Sequence, residues 1–166
     1  MKPLAALLLA AIALAYGLRV SAEPSPTAHR VTCTRVEGDA TITAHGWAFR
    51  VEGGGWITCL HVVERGEIRI GGELATIERS CKASDVAVLR CGLKAGAFRL
   101  RSLGGSHAVH GLLISPVNNG DSGSPVIHAG EVVGMVCAYE PDTGRGRAVG
   151  AAVIQSVMEP GKEPGR

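Results

Sequence analysis

Asn119-Gly120-Asp121-Ser122-Gly123-Ser124-Pro125-Val126 carries the densest chemical signal in the chain. Glycines flank an acid–serine pair, a composition that builds a tight turn and leaves the serine hydroxyl exposed. The same glycines let backbone N–H groups approach a bound carbonyl. Gly, Ser and Pro are also ordinary turn formers. The motif therefore gains meaning only if the groups it needs occur elsewhere.

A serine hydroxyl is a poor nucleophile without a base in hydrogen-bond reach. Working outward, His61 supplies one in Ile57-Thr58-Cys59-Leu60-His61-Val62-Val63, where it ends an apolar run at a strand–loop junction. An imidazole base needs an acid to hold its tautomer. Asp85 heads the apolar run Val86-Ala87-Val88-Leu89. Each residue taken singly has a plain structural explanation; the three together are far harder to assign to chance. Their order, histidine then aspartate then serine, is one of three in which this triad occurs on unrelated folds.

With those residues in hand, the chain resembles the trypsin-like (chymotrypsin-fold) serine peptidases, in particular the compact bacterial branch that includes the HtrA/Deg proteases. The resemblance rests on His45-Gly46-Trp47-Ala48-Phe49, Gly55-Trp56-Ile57-Thr58, the His61 and Asp85 segments, Gly120 to Pro125, Gly130-Glu131-Val132-Val133-Gly134 and Val149-Gly150-Ala151-Ala152-Val153. It covers residues 30–158. It implies an all-β fold of two antiparallel barrels with the site between them, His61 and Asp85 from the first and Ser122 from the second. Ser122 would attack the scissile carbonyl, His61 would move the proton, and Asp85 would stay ionised and orient the ring. The N–H groups of Gly120 and Ser122 would form the oxyanion hole. The resemblance implies protein or peptide substrates and neither metal nor organic cofactor. A catalytically silent domain of this type, used as a binding module, is the runner-up.

Two departures qualify the likeness. Ser124 stands where most members carry a second glycine, a substitution small enough for the turn. Asp85 and Ser122 are 37 positions apart (122 − 85), so the second barrel is expected to be shortened, with residues 92–107 serving as its first section. The sequence after residue 158 reads as a tail and not as the peptide-binding domain that HtrA-type proteases append. By the resemblance, the substrate pocket draws on Pro116, Val136, Cys137, Ala138 and Tyr139. Pro116 replaces the aspartate that gives trypsin its preference for Lys and Arg, so a small or medium apolar P1 side chain is expected.

The rest of the chain agrees with an all-β reading. Runs rich in Val, Ile and Thr recur at 30–36, 40–51, 55–60, 66–78, 85–91, 108–114, 124–128, 131–139 and 147–154, punctuated by glycine and without a long amphipathic helix. A short helical turn is expected over Ile154 to Met158. Residues 23–29 read as a disordered leader and 159–166 as a disordered tail.

Composition removes other classes. At 46% hydrophobic and 19% charged, the chain is too apolar for disorder. Met1-Lys2, the apolar run Leu4 to Leu18 and Val20-Ser21-Ala22 together read as a cleaved signal peptide over 1–22. The run is short for a membrane span of about 20 residues; retained, it would act as an anchor, the one route to a membrane. The expected location is therefore periplasmic or secreted. Residues 1–22 hold Lys2 and Arg19 and no acid, so fifteen of the 17 basic residues remain against 15 acidic ones. A balanced mature chain without a basic cluster is a poor nucleic-acid binder. A monomer is favoured.

Export would place Cys33, Cys59, Cys81, Cys91 and Cys137 in an oxidising compartment. Cys81 with Cys91 is the favoured pair, Cys33 with Cys59 a possible second, leaving Cys137 as a buried thiol. No C-x2-C or H-x3-H spacing points to zinc. His107, His110 and His128 read as surface or structural residues.

Overall fold

Alternating branched and polar residues, broken by glycine turns, fold into ten strands and two short helices among the described residues. The computed structural model describes residues 27–102, 112–114, 117–140, 142 and 145–159. Six strands come first: β1 (Ala28–Glu37), β2 (Ala40–Arg50), β3 (Trp56–Cys59), β4 (Glu67–Ile70), β5 (Glu73–Cys81) and β6 (Val86–Cys91). Helix α1 (Leu60–Val63) interrupts them directly after β3. They close into a barrel in the order β1-β2-β3-β6-β5-β4, because β1 pairs antiparallel with both β2 and β4.

The second unit comprises β7 (Leu112–Ile114), β8 (Pro125–His128), β9 (Glu131–Glu140) and β10 (Arg145–Gly150), a four-stranded antiparallel sheet in the order β7-β10-β9-β8. This is the shortening expected from the spacing. Residues 92–102 form no named strand. They instead lace the two units together: Phe98 forms a parallel bridge with Val51 of the barrel, and Leu100 with Val132 of β9. Backbone bonds from Phe98 N–H to Arg50 O (2.8 Å) and from Val132 N–H to Arg99 O (2.9 Å) carry this link.

The core continues across the junction. Trp56, Phe49, Ile57 and Leu89 fill the barrel, and Met135 and Ile154 extend the same cluster under the second sheet. Phe49 meets Phe98 edge-on, with ring centroids 6.0 Å apart. Helix α2 (Ala151–Met158) turns Val153, Ile154 and Val157 inward and packs on β5, β6 and β9.

Several boundaries differ from the sequence reading. The run 66–78 is two strands, since Gly71 (φ 56) and Gly72 (φ 93) form the two-residue turn with positive φ at both positions that suits a hairpin. Ala28 and His29 belong to β1 and not to the leader. The last helix begins at Ala151, three residues before the expected turn. The favoured Cys81–Cys91 bridge is not formed. Cys81 faces Val86 and Cys91 faces Ala75, at opposite ends of the β5–β6 hairpin. Five residues of strand separate them by about 16 Å, beyond the roughly 7 Å a disulfide can span. Cys33 and Cys59 are also unbridged, and all five thiols are free. Residues 1–22, expected to be a signal peptide, His107, His110 and residues 160–166 lie outside the described residues. Among those described, no helix is long and apolar enough to cross a membrane.

Phe49 is fully buried in the shared core and packs on Phe98 of the segment that links the two units. Phe49→Ala should therefore cost about 3–5 kcal/mol, read as a lower urea midpoint by fluorescence or circular dichroism. A change below about 1 kcal/mol would contradict the shared core.

Candidate active site

His61 owes its position to the burial of its neighbours. Leu60, Val62 and Val63 of α1 are buried, which leaves His61 as the outward side chain of that single turn. Asp85 lies in the turn before β6 with φ 56. Asp is among the residues that tolerate this left-handed region, at some cost. The conformation aims its carboxylate at α1. Asp85 Oδ1 accepts the His61 backbone N–H at 2.9 Å, and Oδ2 meets His61 Nδ1 at 2.6 Å. The Asp85 carbonyl accepts Leu60 N–H at 3.0 Å. With Asp85 ionised, Nδ1 carries the ring proton and Nε2 keeps a lone pair directed away.

The hydrogen bond to Asp85 pushes the His61 pKa above the ordinary 6.5; the Asp85 charge adds to this and burial opposes it. The side chains remain 49% and 30% exposed, so the pair is open to solvent.

Ser122 sits where two turns meet. Asp121 N–H reaches Asn118 O at 3.2 Å and Ser124 N–H reaches Asp121 O at 2.9 Å. Gly120 (φ 93) and Gly123 (φ 88) occupy the third position of each turn. That is the φ pattern of type II turns, which call for glycine there. The Asp121 carboxylate accepts Asn118 N–H at 2.8 Å and locks the first turn. Within 120–124, the N–H groups of Asp121, Gly123 and Ser124 are bonded. Those of Gly120 and Ser122 have no partner among the described residues.

The serine turn is seated against both units. Trp47 N–H donates to Ser122 O at 2.8 Å, and Gly123 N–H donates to Val136 O at 2.8 Å. A Cβ on Gly46 would stand 2.7 Å from Ser122 O and 3.1 Å from the Val62 methyls, so Gly46 separates the serine backbone from the residue after His61. A Cβ on Gly123 would lie 1.9 Å from Trp47 O. Thr58 Oγ1 donates to Trp47 O at 2.7 Å and Cys59 Sγ to Val136 O at 3.1 Å, tying the end of β3 to the same backbone.

The structure thus joins His61 and Asp85 directly and seats the Ser122 turn on Trp47 of β2, which Thr58 ties to the end of β3 from which α1 continues. No hydrogen bond links Ser122 Oγ to His61. Of the expected pocket residues, Val136 is buried and its backbone holds the serine turn. Cys137 is half-buried and donates to Arg147 O at 3.3 Å, and Ala138 is exposed. Pro116 and the Tyr139 side chain lie outside what the structure describes. Sequence reasoning missed the seating role of Gly46, Trp47 and Thr58, and treated Cys59 only as a disulfide partner. It also missed the β-bulge at Cys137, where Arg147 pairs with Ala138 and Ala148 with Val136. A cavity of about 440 Å³ lined by Trp56, Arg79, Arg90, Lys94 and Met158 lies elsewhere and touches none of these site residues.

No family model matches the sequence, and no curated protein matches it. Solved structures do. The chain is similar to the crystal structure of the Rv3671c protease from M. tuberculosis in its active form, at TM-score 0.62 and 17% identity, covering 93% of this chain and 88% of that one. The inactive form of Rv3671c protease gives TM-score 0.61 at 17% identity, covering 87% and 93%. At that identity the likeness shows the fold: a closed six-stranded barrel with a second, smaller sheet, as in chymotrypsin-like proteases.

Two outcomes follow from this geometry. Gly123→Ala should lower the thermal midpoint, since the positive φ alone costs about 1–3 kcal/mol and the Cβ strikes a backbone carbonyl; an unchanged midpoint would contradict the seating described. His61 should titrate above 6.5 by NMR, and Asp85→Asn should bring it down, because the charge that holds the proton is removed and burial remains. Folding favours the protonated form, so this linkage stabilises the chain fully below the unfolded-state value near 6.5 and fades as pH rises through the higher folded-state value.

Proposed function

We propose that the chain is an exported serine endopeptidase that cleaves protein or peptide substrates through His61, Asp85 and Ser122. One observation carries the reading: an ionisable pair with Nδ1 tied to a carboxylate accompanies a serine turn in which, among the described residues, the Gly120 and Ser122 amides are the unpartnered ones. Ser122 Oγ attacks the scissile carbonyl as His61 Nε2 takes its proton. Asp85 stays ionised and supports the imidazolium. The developing oxyanion draws the Gly120 and Ser122 N–H groups, each such donor worth about 10²–10³ in rate. His61 then protonates the leaving amine, and water releases the acyl group by the same route. The open Ser122–His61 geometry is compatible with this, because catalytic hydrogen bonds often tighten only with substrate bound.

The protease neighbours support a hydrolase of this fold. The N-terminal pattern of residues 1–22 supports export to the periplasm or beyond. On the resemblance, the substrate side chain next to the cleaved bond is small or medium and apolar, and the pocket is formed around Cys137, Ala138 and Tyr139.

A fluorophosphonate probe should label the purified chain, and Ser122→Ala should abolish labelling while leaving the far-ultraviolet spectrum unchanged. A folded wild type that stays unlabelled would leave the binding-module reading in its place. Asp85→Asn should fold and lose activity on the order of 10⁴-fold through the wrong tautomer.

A further inference from the structure

We propose that Cys59, His61 and Asp85 form a binding site for a thiophilic divalent cation, Zn²⁺ above all, whose occupancy disables the His61–Asp85 pair. The disabling half rests on the function proposed above; the binding half stands on the donor geometry alone.

Cys59 Sγ, a ring nitrogen of His61 and a carboxylate oxygen of Asp85 all lie within 4.8 Å of one another. These are the three ligand classes that zinc takes from proteins. Tetrahedral bonds of about 2.3 Å to sulfur and about 2.0–2.2 Å to nitrogen and oxygen place ligand atoms about 3.3–3.7 Å apart. The sulfur, within 4.8 Å of both other ligand atoms, must draw closer by at most about 1.2 Å, and the His61–Asp85 contact, at 2.6 Å, must open by about 0.7 Å to admit an ion bonded at those lengths. Side-chain rotation can supply this because both groups are partly exposed. Cys59 forms the back wall: it is fully buried, and its thiol donates to Val136 O. A soft ligand at the rear discriminates against Mg²⁺ and Ca²⁺, which prefer all-oxygen sites. Three protein ligands leave the fourth position to water.

Binding balances simply. The cation takes the Cys59 sulfur as thiolate, and that thiol proton goes to solvent. It takes the lone pair of His61 Nδ1, so the single proton of the neutral ring moves to Nε2. One proton is released per ion. With hydrogen on Nε2, the ring offers Ser122 a donor and has no lone pair to accept the hydroxyl proton. The metal therefore fixes the wrong tautomer and removes the carboxylate from the ring at the same time.

The test uses the full reduced chain, Co²⁺ as a spectroscopic probe and Zn²⁺ as its competitor. One equivalent of Co²⁺ should raise a thiolate-to-cobalt band in the near ultraviolet, and Zn²⁺ should bleach it. Cys59→Ala should remove the band and raise the apparent Kd for Zn²⁺ by more than about 100-fold, since even outer-shell partners of a metal are worth 10–100-fold. Cys91→Ser should leave both unchanged. If Cys59→Ala fails to fold, Cys59→Ser replaces it, keeping a donor to Val136 O without a thiolate. Zn²⁺ should also block fluorophosphonate labelling of the wild type at concentrations that do not affect the Cys59 variant. No band in the wild type, a band that survives loss of Cys59, or one lost with Cys91 would overturn the site. Absence of labelling in metal-free wild type would sink the peptidase reading alone, because the cobalt band is read independently of it.

Discussion

The carbonyl of Val136 joins the two halves of this molecule at the place where its chemistry gathers. It accepts Gly123 N–H from the serine turn and the Cys59 thiol from the end of β3. One residue beyond Cys59 begins the helical turn that carries His61. The Ser122 turn and the His61 turn are thus referred to a single oxygen on β9, and to Trp47 of β2 through the Ser122 carbonyl. The bulge at Cys137 frees this arrangement from the regular ladder. An extra residue lets β9 follow β10 on one side and the serine turn on the other, the kind of local kink found beside functional sites.

Around that anchor, the chain accepts several locally unfavourable features. Asp85 adopts a left-handed backbone without being glycine, and the Gly120 and Ser122 amides have no partner among the described residues. An ordinary loop would relax both. Here three hydrogen bonds hold Asp85 to α1, and Gly123 lies so close to Trp47 that no side chain fits at its position. Unmet donors held in a fixed direction favour a group that brings negative charge to them. Strain of this sort persists only where neighbours over-determine it.

How much of this was legible in the sequence differs by residue. The strands of the barrel were readable because branched residues and glycine turns mark them locally. His61, Asp85 and Ser122 stood out because each polar group interrupts or borders an apolar or glycine-rich run. The hairpin at Gly71-Gly72 was hidden because apolar residues continue on both sides of it. The absence of a Cys81–Cys91 bridge was unreadable from spacing alone: ten residues of separation fit either a closed loop or a long hairpin, and only the strand register decides. Cys59 was invisible as a site residue, since its importance lies in a through-space approach to Asp85 from a neighbouring strand.

The short stretch between Asp85 and Ser122 explains how so small a second unit can hold a serine in place. Here residues 98–101 run as a strap, bonded on one side to Arg50 and Glu52 of the first barrel and on the other to Val132 of β9. Phe98 presses into Phe49 from that strap, and α2 covers the far side with Val153, Ile154 and Val157. The four-stranded sheet therefore has no need of a closed core of its own. Met135, Val149 and Ile154 belong to the cluster that also contains Trp56 and Leu89. Because burying apolar surface is non-directional and roughly additive in area, one shared core can stabilise both units. The directional work of aligning the site falls to the few hydrogen bonds at Trp47 and Val136.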